Sequence, residues 1–212
     1  MTLTHFIDVA LHGDLREGFG LAGVMSSIHS INRRNKSISE PDTYPLGVAF
    51  PFWIDPKFHA TRMIGFGSTG PIVRILASND SDLHKLVADS NLTQLQSIGE
   101  ISFSAIKEIP AAITAWTSFS RATDAEAKSP SHLRRLAKRA TLRLENVSKI
   151  AAIASEQSKD DKLGFVKIPV SSASTSQSFG RAIRRSLLIA KPQTTKLDSW
   201  GFTKPGGGIP NF

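Results

Sequence analysis

The chain has 212 residues and contains no cysteine, which excludes disulfides, thiolate catalysis and cysteine-ligated zinc. Hydrophobic residues make up 40% and charged residues 21%, as in ordinary globular proteins, and no apolar run approaches the roughly 18 residues of a membrane span. The net charge of +8 is concentrated in one half: residues 1–110 hold 9 Lys and Arg against 11 Asp and Glu, whereas residues 111–212 hold 17 against 7, a distribution that favours a polyanionic partner over a merely basic solvated face.

The first elements of the chain are predicted to be a strand, a helix and a second strand. Residues 4–11 alternate apolar and polar side chains, as a half-buried strand does. Because this segment includes Asp8 and has no basic start, it is interpreted as a strand rather than a signal peptide, which fits a cytoplasmic protein. Residues 21–31 carry apolar side chains at helical spacing, and the cation-rich segment Arg33-Arg34-Asn35-Lys36 ends that helix. Residues 46–51 form a short buried strand that stops at a proline.

The rest of the first half completes a split βαβ pattern. Residues 62–66 and 72–77 are predicted to be two strands of a hairpin that turns at Gly70. A helix with an apolar stripe follows over residues 83–92, and residues 101–109 alternate as a further strand. If the strand at residue 46 and the hairpin are counted as the central pair, the order is βαββαβ. The sequence therefore predicts an α+β protein with an N-terminal ferredoxin-like domain, a fold that does not by itself decide function.

The second half is predicted to be a separate domain. Residues 111–130, rich in Thr, Ser and Ala, are interpreted as an irregular linker between a ferredoxin-like domain over 1–110 and a second domain over 131–212. A helix begins near residue 131, with Pro130 at its first turn. Residues 165–170 and 183–190 are predicted strands of a small antiparallel sheet, separated by a polar loop over 171–178. The end of the sequence, 201–212, is rich in glycine and proline.

The predicted helix after residue 131 carries a cluster of cations. Between residues 131 and 144 there is no acidic residue, although a solvated surface helix usually carries acids as well as bases. Cations four residues apart line one stripe of a helix, where they can grip successive phosphates or bond guanine edges. The cluster consists of Arg134, Arg135, Lys138, Arg139 and Arg143.

Three further features are candidates for chemistry. His29 lies late on the first predicted helix and is either a structural histidine or a general base. The hydroxyl-rich residues 171–178 are either a flexible linker or a binding loop, and Phe179, which follows them, can stack on a base. The sequence contains no Walker loop, no dinucleotide fingerprint, no HExxH and no acids at metal-site spacing, so any nuclease activity is expected to need no metal.

These features, in this order, resemble the CRISPR repeat-processing endoribonucleases of type I-F systems. The resemblance covers nearly the whole chain. It is carried by the His-Phe-Ile-Asp-Val strand at residues 5–9, the helix ending just past His29, the strand at 46–51, the Ser120-Arg121 pair, the arginine-rich helix, the Ser/Thr loop ending in Phe179 and the Gly-Phe-x-x-x-Gly-Gly segment at 201–207.

The resemblance implies cleavage of precursor CRISPR RNA at the 3′ base of the repeat hairpin, as part of antiviral defence. The protein would stay bound to its product. Its protein partners would be the backbone subunits and the other subunits of a type I-F effector complex. No metal or other cofactor is implied, and the free protein is expected to be a monomer with no membrane contact. Two alternatives remain: a non-catalytic subunit that caps the guide RNA, and a basic structural protein of a ribonucleoprotein particle.

The resemblance also implies roles for individual residues. His29 would activate the 2′-hydroxyl upstream of the scissile phosphate, and Ser172 would position that nucleotide, giving a 2′,3′-cyclic phosphate and a 5′-hydroxyl. Ser174, Thr175 and Trp200 would be their neighbours in the active site. Trp200 stands where the family often carries a tyrosine, so it can stack but offers no hydroxyl.

The resemblance implies that residues 131–212 are an RNA-binding domain, whose arginine-rich helix would lie along the major groove of the hairpin. Arg121 would read a guanine low in the stem, and Phe179 would stack beneath the terminal base pair. Thr123 stands where a base-reading glutamine is typical, and the helix has fewer arginines than expected. The hairpin that this protein recognises is therefore expected to differ in sequence from the hairpins that the family typically recognises.

Overall fold

A computed structural model describes residues 1–12, 18–36, 44–59, 62–65, 67–123, 165–171, 178–193 and 195–212. The arginine-rich segment with its five cations lies outside these residues, as do Ser172, Ser174 and Thr175. No helix in the described ranges is long and apolar enough to cross a membrane.

The N-terminal elements form an antiparallel sheet with helices in the ferredoxin-like arrangement. In chain order they are β1 (His5–Leu11), α1 (Phe19–Arg34), β2 (Leu46–Ala49), β3 (Lys57–His59), β4 (Arg62–Gly65), β5 (Ile72–Ala77), α2 (Asp80–Val87), α3 (Ser90–Ser97), β6 (Ile101–Phe103) and β7 (Lys107–Glu108). The strand order is β2-β5-β1-β6, and β7 also pairs with β1. With one helix after β1 and a helical pair after β5, this is the split βαβ topology. The predicted fold class is confirmed.

The predicted hairpin between residues 62–66 and 72–77 does not form. β4 pairs with β3, whereas β5 pairs with β1 on one side and β2 on the other. The reason lies in the composition of β5, which buries Val73, Ile75 and Leu76 completely. A strand this apolar is most stable at the centre of a sheet, where both backbone edges are hydrogen-bonded and both faces are covered.

Helix α1 forms as predicted and carries His29, which belongs to the site described below. Its apolar stripe, which includes Val24, Met25 and Ile28, is fully buried in the core. Gly18 at its N-cap has a φ of 63°, and its last turn contains Arg33 and Arg34, where the helix dipole favours cations. Because one face is committed to the core, the neighbouring face turns toward the C-terminal half of the chain, where α1 packs against the strand that begins at Val166.

The C-terminal elements form a second antiparallel sheet. They are β8 (Ala115–Arg121), β9 (Val166–Ser171), β10 (Ser178–Leu188) and β11 (Ile209–Asn211), in the order β11-β8-β10-β9. The small antiparallel sheet expected from the sequence is thus confirmed. The irregular linker over 111–130 is wrong for residues 115–121, which form a strand between β10 and β11. The domain boundaries themselves stay a prediction.

The sequence did not predict β8 as a strand, because its polar side chains indicate an exposed segment and are buried only when the strand pairs with its neighbours. Thr117 and Ser118 are almost fully buried, and their hydroxyls bond the carbonyl of Ser186 and the hydroxyl of Thr203. Phe119 continues the core of the first half, with ring centroids 5.3 Å from Phe50 and 5.4 Å from Trp53. The described parts of both sheets therefore share one hydrophobic core.

Candidate active site at the junction of the two sheets

A tight turn over residues 197–203, here called the Asp198 turn, forms one wall of the candidate site. The Asp198 carboxylate accepts hydrogen bonds from the backbone N–H of Trp200 at 2.8 Å and of Phe202 at 3.0 Å. Gly201 has a φ of 82°, and a Cβ there would lie 2.7 Å from Val48 Cγ2. The Gly201 carbonyl in turn accepts from the N–H of Val48 at 2.9 Å. The turn is therefore closed on itself and hydrogen-bonded to β2.

His29 lies on α1 opposite this turn, and its ring is hydrogen-bonded to the backbone. Nδ1 of His29 lies 3.2 Å from the carbonyl oxygen of Ser199. A carbonyl oxygen can only accept, so Nδ1 carries the proton and Nε2 of the neutral ring keeps its lone pair. The arrangement holds the histidine as a base whose accepting nitrogen is Nε2.

The imidazole of His29 also stacks on the indole of Trp200. The two ring centroids are 4.0 Å apart and the planes differ by 8°. Trp200 is 6% exposed, so it is a fixed platform for the histidine. The ring of Phe179 meets Trp200 edge-on at 6.4 Å, and the guanidinium carbon of Arg181 lies 4.8 Å from the indole centroid.

The electrostatics of this cluster favour a neutral imidazole. Burial is the main cause that lowers the pKa of His29, and the cations Arg33 and Arg181 lower it further. The hydrogen bond to Ser199 and the carboxylate of Asp198 act in the opposite direction, without reversing the shift. A histidine with a lowered pKa is in its basic form at neutral pH, as a general base must be.

Burial has the opposite effect on Asp198. It raises the pKa of this carboxyl, against the two backbone N–H groups and the nearby cations Arg181 and Arg121, all of which favour the ionised form. The charge of Asp198 therefore interacts both with the His29 cluster and with Arg121.

Arg121 and Thr123 line a neighbouring groove of about 590 Å³. Its walls come from β8, the end of β10 and residues 203–207, and Asp198 also faces it. Both Arg121 and Thr123 are exposed. A groove with an arginine at its edge and hydroxyls along its wall offers donors to phosphates and base edges.

Three of the residues singled out from sequence come together: His29, Trp200 and Phe179 lie in one cluster, with Arg121 and Thr123 in the adjoining groove. The structure does not describe the side chains of the other candidates. Within the described ranges, no three His, Asp or Glu side chains lie close enough together to hold a metal ion.

Sequence analysis missed Asp198, Ser199 and Arg181. The Asp-Ser-Trp-Gly sequence at 198–201 is a typical turn signal, since an Asp side chain can bond the backbone two residues ahead. This signal could have identified Asp198. Ser199 contributes only its backbone carbonyl, and no residue type in the sequence marks such a contribution.

Two comparisons with known proteins bear on this site. A protein-family model described as CRISPR-associated protein (Cas_Csy4) matches residues 7–212. The match includes His29, the Asp198 turn and both sheets except for His5 and Phe6. No curated protein matches the chain.

Proposed function

The chain belongs to the Cas_Csy4 family of CRISPR-associated proteins, and from this membership we propose that it is a metal-independent endoribonuclease. It binds the CRISPR repeat hairpin and cleaves precursor CRISPR RNA at the 3′ base of the stem. It then stays bound to its product as a subunit of a type I-F effector complex. Membership of the family supports CRISPR-associated RNA processing, and the geometry around His29 supports the chemistry.

The observation that carries the proposal is the orientation of His29. With Nδ1 donating to Ser199 at 3.2 Å, Nε2 takes the proton from the 2′-hydroxyl. The 2′-oxygen attacks the adjacent phosphorus and the bond from phosphorus to the 5′-oxygen breaks. The leaving 5′-oxygen takes up a proton from solvent, so the products are a 2′,3′-cyclic phosphate and a 5′-hydroxyl. The attacking hydroxyl belongs to the RNA itself, which makes its position the main requirement.

Two neighbours of His29 suit a bound RNA. Arg181 places a cation beside the Trp200 ring at 4.8 Å, where it can stabilise charge that develops on the phosphate. Phe179 is 42% exposed, which leaves ring surface for stacking beneath the terminal base pair. We propose Ser172, which follows β9, as the group that positions the nucleotide, with Ser174 and Thr175 beside it.

Affinity for the hairpin is assigned to the basic second half. Arg121 and Thr123 read bases from their groove, and the five cations of the segment over 131–144 bind along the stem. Since most of these contacts are with phosphates, binding should weaken steeply as salt is added.

A labelled CRISPR-repeat stem-loop incubated with the protein in excess EDTA tests the proposal. A single cut at the 3′ base of the stem, with a cyclic phosphate on the upstream product, is the expected result. Tight retention of an uncut hairpin would instead identify a non-catalytic subunit that caps the guide RNA. Equal affinity for unrelated RNAs would identify a basic structural protein of a ribonucleoprotein particle.

A further inference from the structure

The carboxylate of Asp198 controls the orientation of a single peptide group. The N–H of Trp200, which donates to Asp198 at 2.8 Å, belongs to the same planar peptide unit as the carbonyl of Ser199. In a trans peptide the N–H and the C=O point in opposite directions. When Asp198 holds this N–H, the Ser199 oxygen is directed away from the carboxylate and toward α1.

Two side chains of α1 receive that carbonyl. Nδ1 of His29 lies 3.2 Å from the Ser199 oxygen, and Nδ2 of Asn32 lies 3.4 Å from it. Asn32 is completely buried and its amide is already hydrogen-bonded to both backbone groups of Leu46. The peptide between Ser199 and Trp200 is thus held on both sides, and only the Asp198 side depends on a residue of the turn itself.

We propose that Asp198 is a positioning residue for catalysis, which holds the Ser199–Trp200 peptide so that its carbonyl selects the Nδ1–H form of His29. This inference rests on the proposed function for its catalytic meaning. Its structural content can be measured in the free protein. Without Asp198 the peptide can rotate, the carbonyl no longer requires a donor at Nδ1, and Nε2 carries the proton in part of the molecules.

Asp198 also faces the groove that Arg121 and Thr123 line, so it is close to both parts of the candidate site. Its charge interacts with both His29 and Arg121. Among the residues that the structure describes, the charged groups that act on His29 are Arg33, Arg181 and Asp198, so Asp198 is the one acid in that set. Replacing its charge alone should change the pKa of His29 without changing its tautomer.

Nitrogen-15 NMR of histidine-labelled protein, without RNA, measures the tautomer directly. The wild type is expected to show a protonated Nδ1 and a bare Nε2 in His29. Asp198→Ala should show a comparable population of both tautomers. Asp198→Asn keeps the accepting oxygen and should keep the wild-type tautomer, with a lower pKa for His29. If Asp198→Ala does not fold, Asp198→Leu replaces it, because the leucine side chain has nearly the shape of the aspartate and offers no acceptor to either N–H group.

Cleavage of the repeat hairpin supplies the second readout. The single-turnover rate should fall about tenfold in Asp198→Ala, because the wrong tautomer and the loss of a fixed ring orientation both reduce it, and by less than about threefold in Asp198→Asn, in keeping with the effect of residues that orient a histidine. The dissociation constant for uncut hairpin should stay within about twofold of that of Glu108→Gln, an exposed residue of β7 whose replacement removes the same charge.

The outcomes separate this inference from the proposed function. An unchanged His29 tautomer in Asp198→Ala, or in Asp198→Leu where that variant replaces it, overturns the inference whether or not RNA is cut. A wild type that cuts no hairpin overturns the proposed function and the catalytic role of Asp198, while the tautomer still decides the positioning of His29. An equal loss of rate in Asp198→Asn and Asp198→Ala, with the tautomer kept in both, would also overturn positioning as the cause.

Discussion

Nδ1 of His29 donates a hydrogen bond to the carbonyl oxygen of Ser199 at 3.2 Å, although the two residues are 170 positions apart in the chain. The bond joins the first helix to the Asp198 turn. It requires both sheets to be packed correctly, so the orientation of the His29 ring exists only in the folded protein. Several measurable properties follow from this contact and from its neighbours.

We expect His29→Ala to abolish cleavage and to preserve hairpin binding. A positioned general base contributes roughly 10²–10⁴-fold to a rate, so the single-turnover rate should fall by that factor. His84→Ala is a matched control, because His84 is exposed on α2, away from the cluster. Cleavage of the labelled repeat hairpin in EDTA measures the rate, and filter binding measures affinity. A His29→Ala protein that cuts at the wild-type rate would exclude His29 as the base.

The dependence of cleavage on pH should reflect the lowered pKa of His29. Only the neutral ring can accept a proton, so kcat/KM should rise with pH and level off, with a midpoint below the ordinary histidine value of about 6.5. The quantity kcat/KM is the right one because it reports the free enzyme. A midpoint above this value would contradict the desolvated environment of the ring.

The lowered pKa of His29 also makes the free energy of unfolding depend on pH. The unfolded chain takes up a proton at His29 at higher pH than the folded protein does, because burial lowers the folded pKa. The contribution of the neutral ring is therefore fully present above about pH 6.5 and is lost as pH falls through the folded pKa. Urea unfolding of the wild type and of His29→Gln at several pH values measures this. The difference between the two proteins should shrink or reverse toward acid pH, and a difference that grows would be the opposite of what linkage requires.

Trp200 is expected to matter as a packed platform and not through its N–H. Trp200→Ala should lower the free energy of unfolding by about 3–5 kcal/mol, as is usual for a buried aromatic side chain. Trp200→Tyr keeps a flat ring against His29 and should retain most of the stability and the cleavage rate. Trp116→Ala is the control, since Trp116 is only partly buried beside Lys191, and its effect should be smaller. Equal stability of Trp200→Ala and wild type would refute the platform role.

Asn32→Ala should destabilise the fold by leaving backbone groups unpaired. The Asn32 amide accepts from the N–H of Leu46 at 2.9 Å and donates to its carbonyl at 3.0 Å. Each buried group left without a partner costs about 1–3 kcal/mol. Asn35→Ala, at the exposed end of α1, should cost only about 0.5 kcal/mol. Urea unfolding of both variants makes the comparison, and similar midpoints for the two would show that the buried amide is replaced by water.

Arg135→Ala or Arg139→Ala should weaken hairpin binding without moving the cut. A lost phosphate contact lowers affinity and reduces the salt slope of binding by about 1. Lys107→Ala on β7 removes the same charge from an exposed position in the other half of the chain. Titrations of the hairpin at several salt concentrations distinguish these variants. An unchanged dissociation constant for both arginine variants at moderate salt would mean that this segment does not contact the stem.

Features with a local cause could be predicted from the sequence. The stripe that includes Val24 and Ile28 predicts α1, because helical spacing places these side chains on one face. The alternation in β1 predicts a half-buried strand for the same kind of reason. His29, Phe179 and Trp200 were identified by the order of their segments. The concentration of positive charge in the second half is a property of the sequence alone.

Features that depend on distant partners were decided by the tertiary structure. β8 looked like a linker because its Thr and Ser side chains are polar, and only pairing with β10 and β11 buries them. β5 lies between β1 and β2 because the sheet needs an apolar central strand, which overrides the nearby turn at Gly70. The tautomer of His29 depends on a backbone carbonyl, and every residue has one. The sequence could therefore single out His29 as the proposed base, while only the fold could determine which of its nitrogens is free to accept a proton.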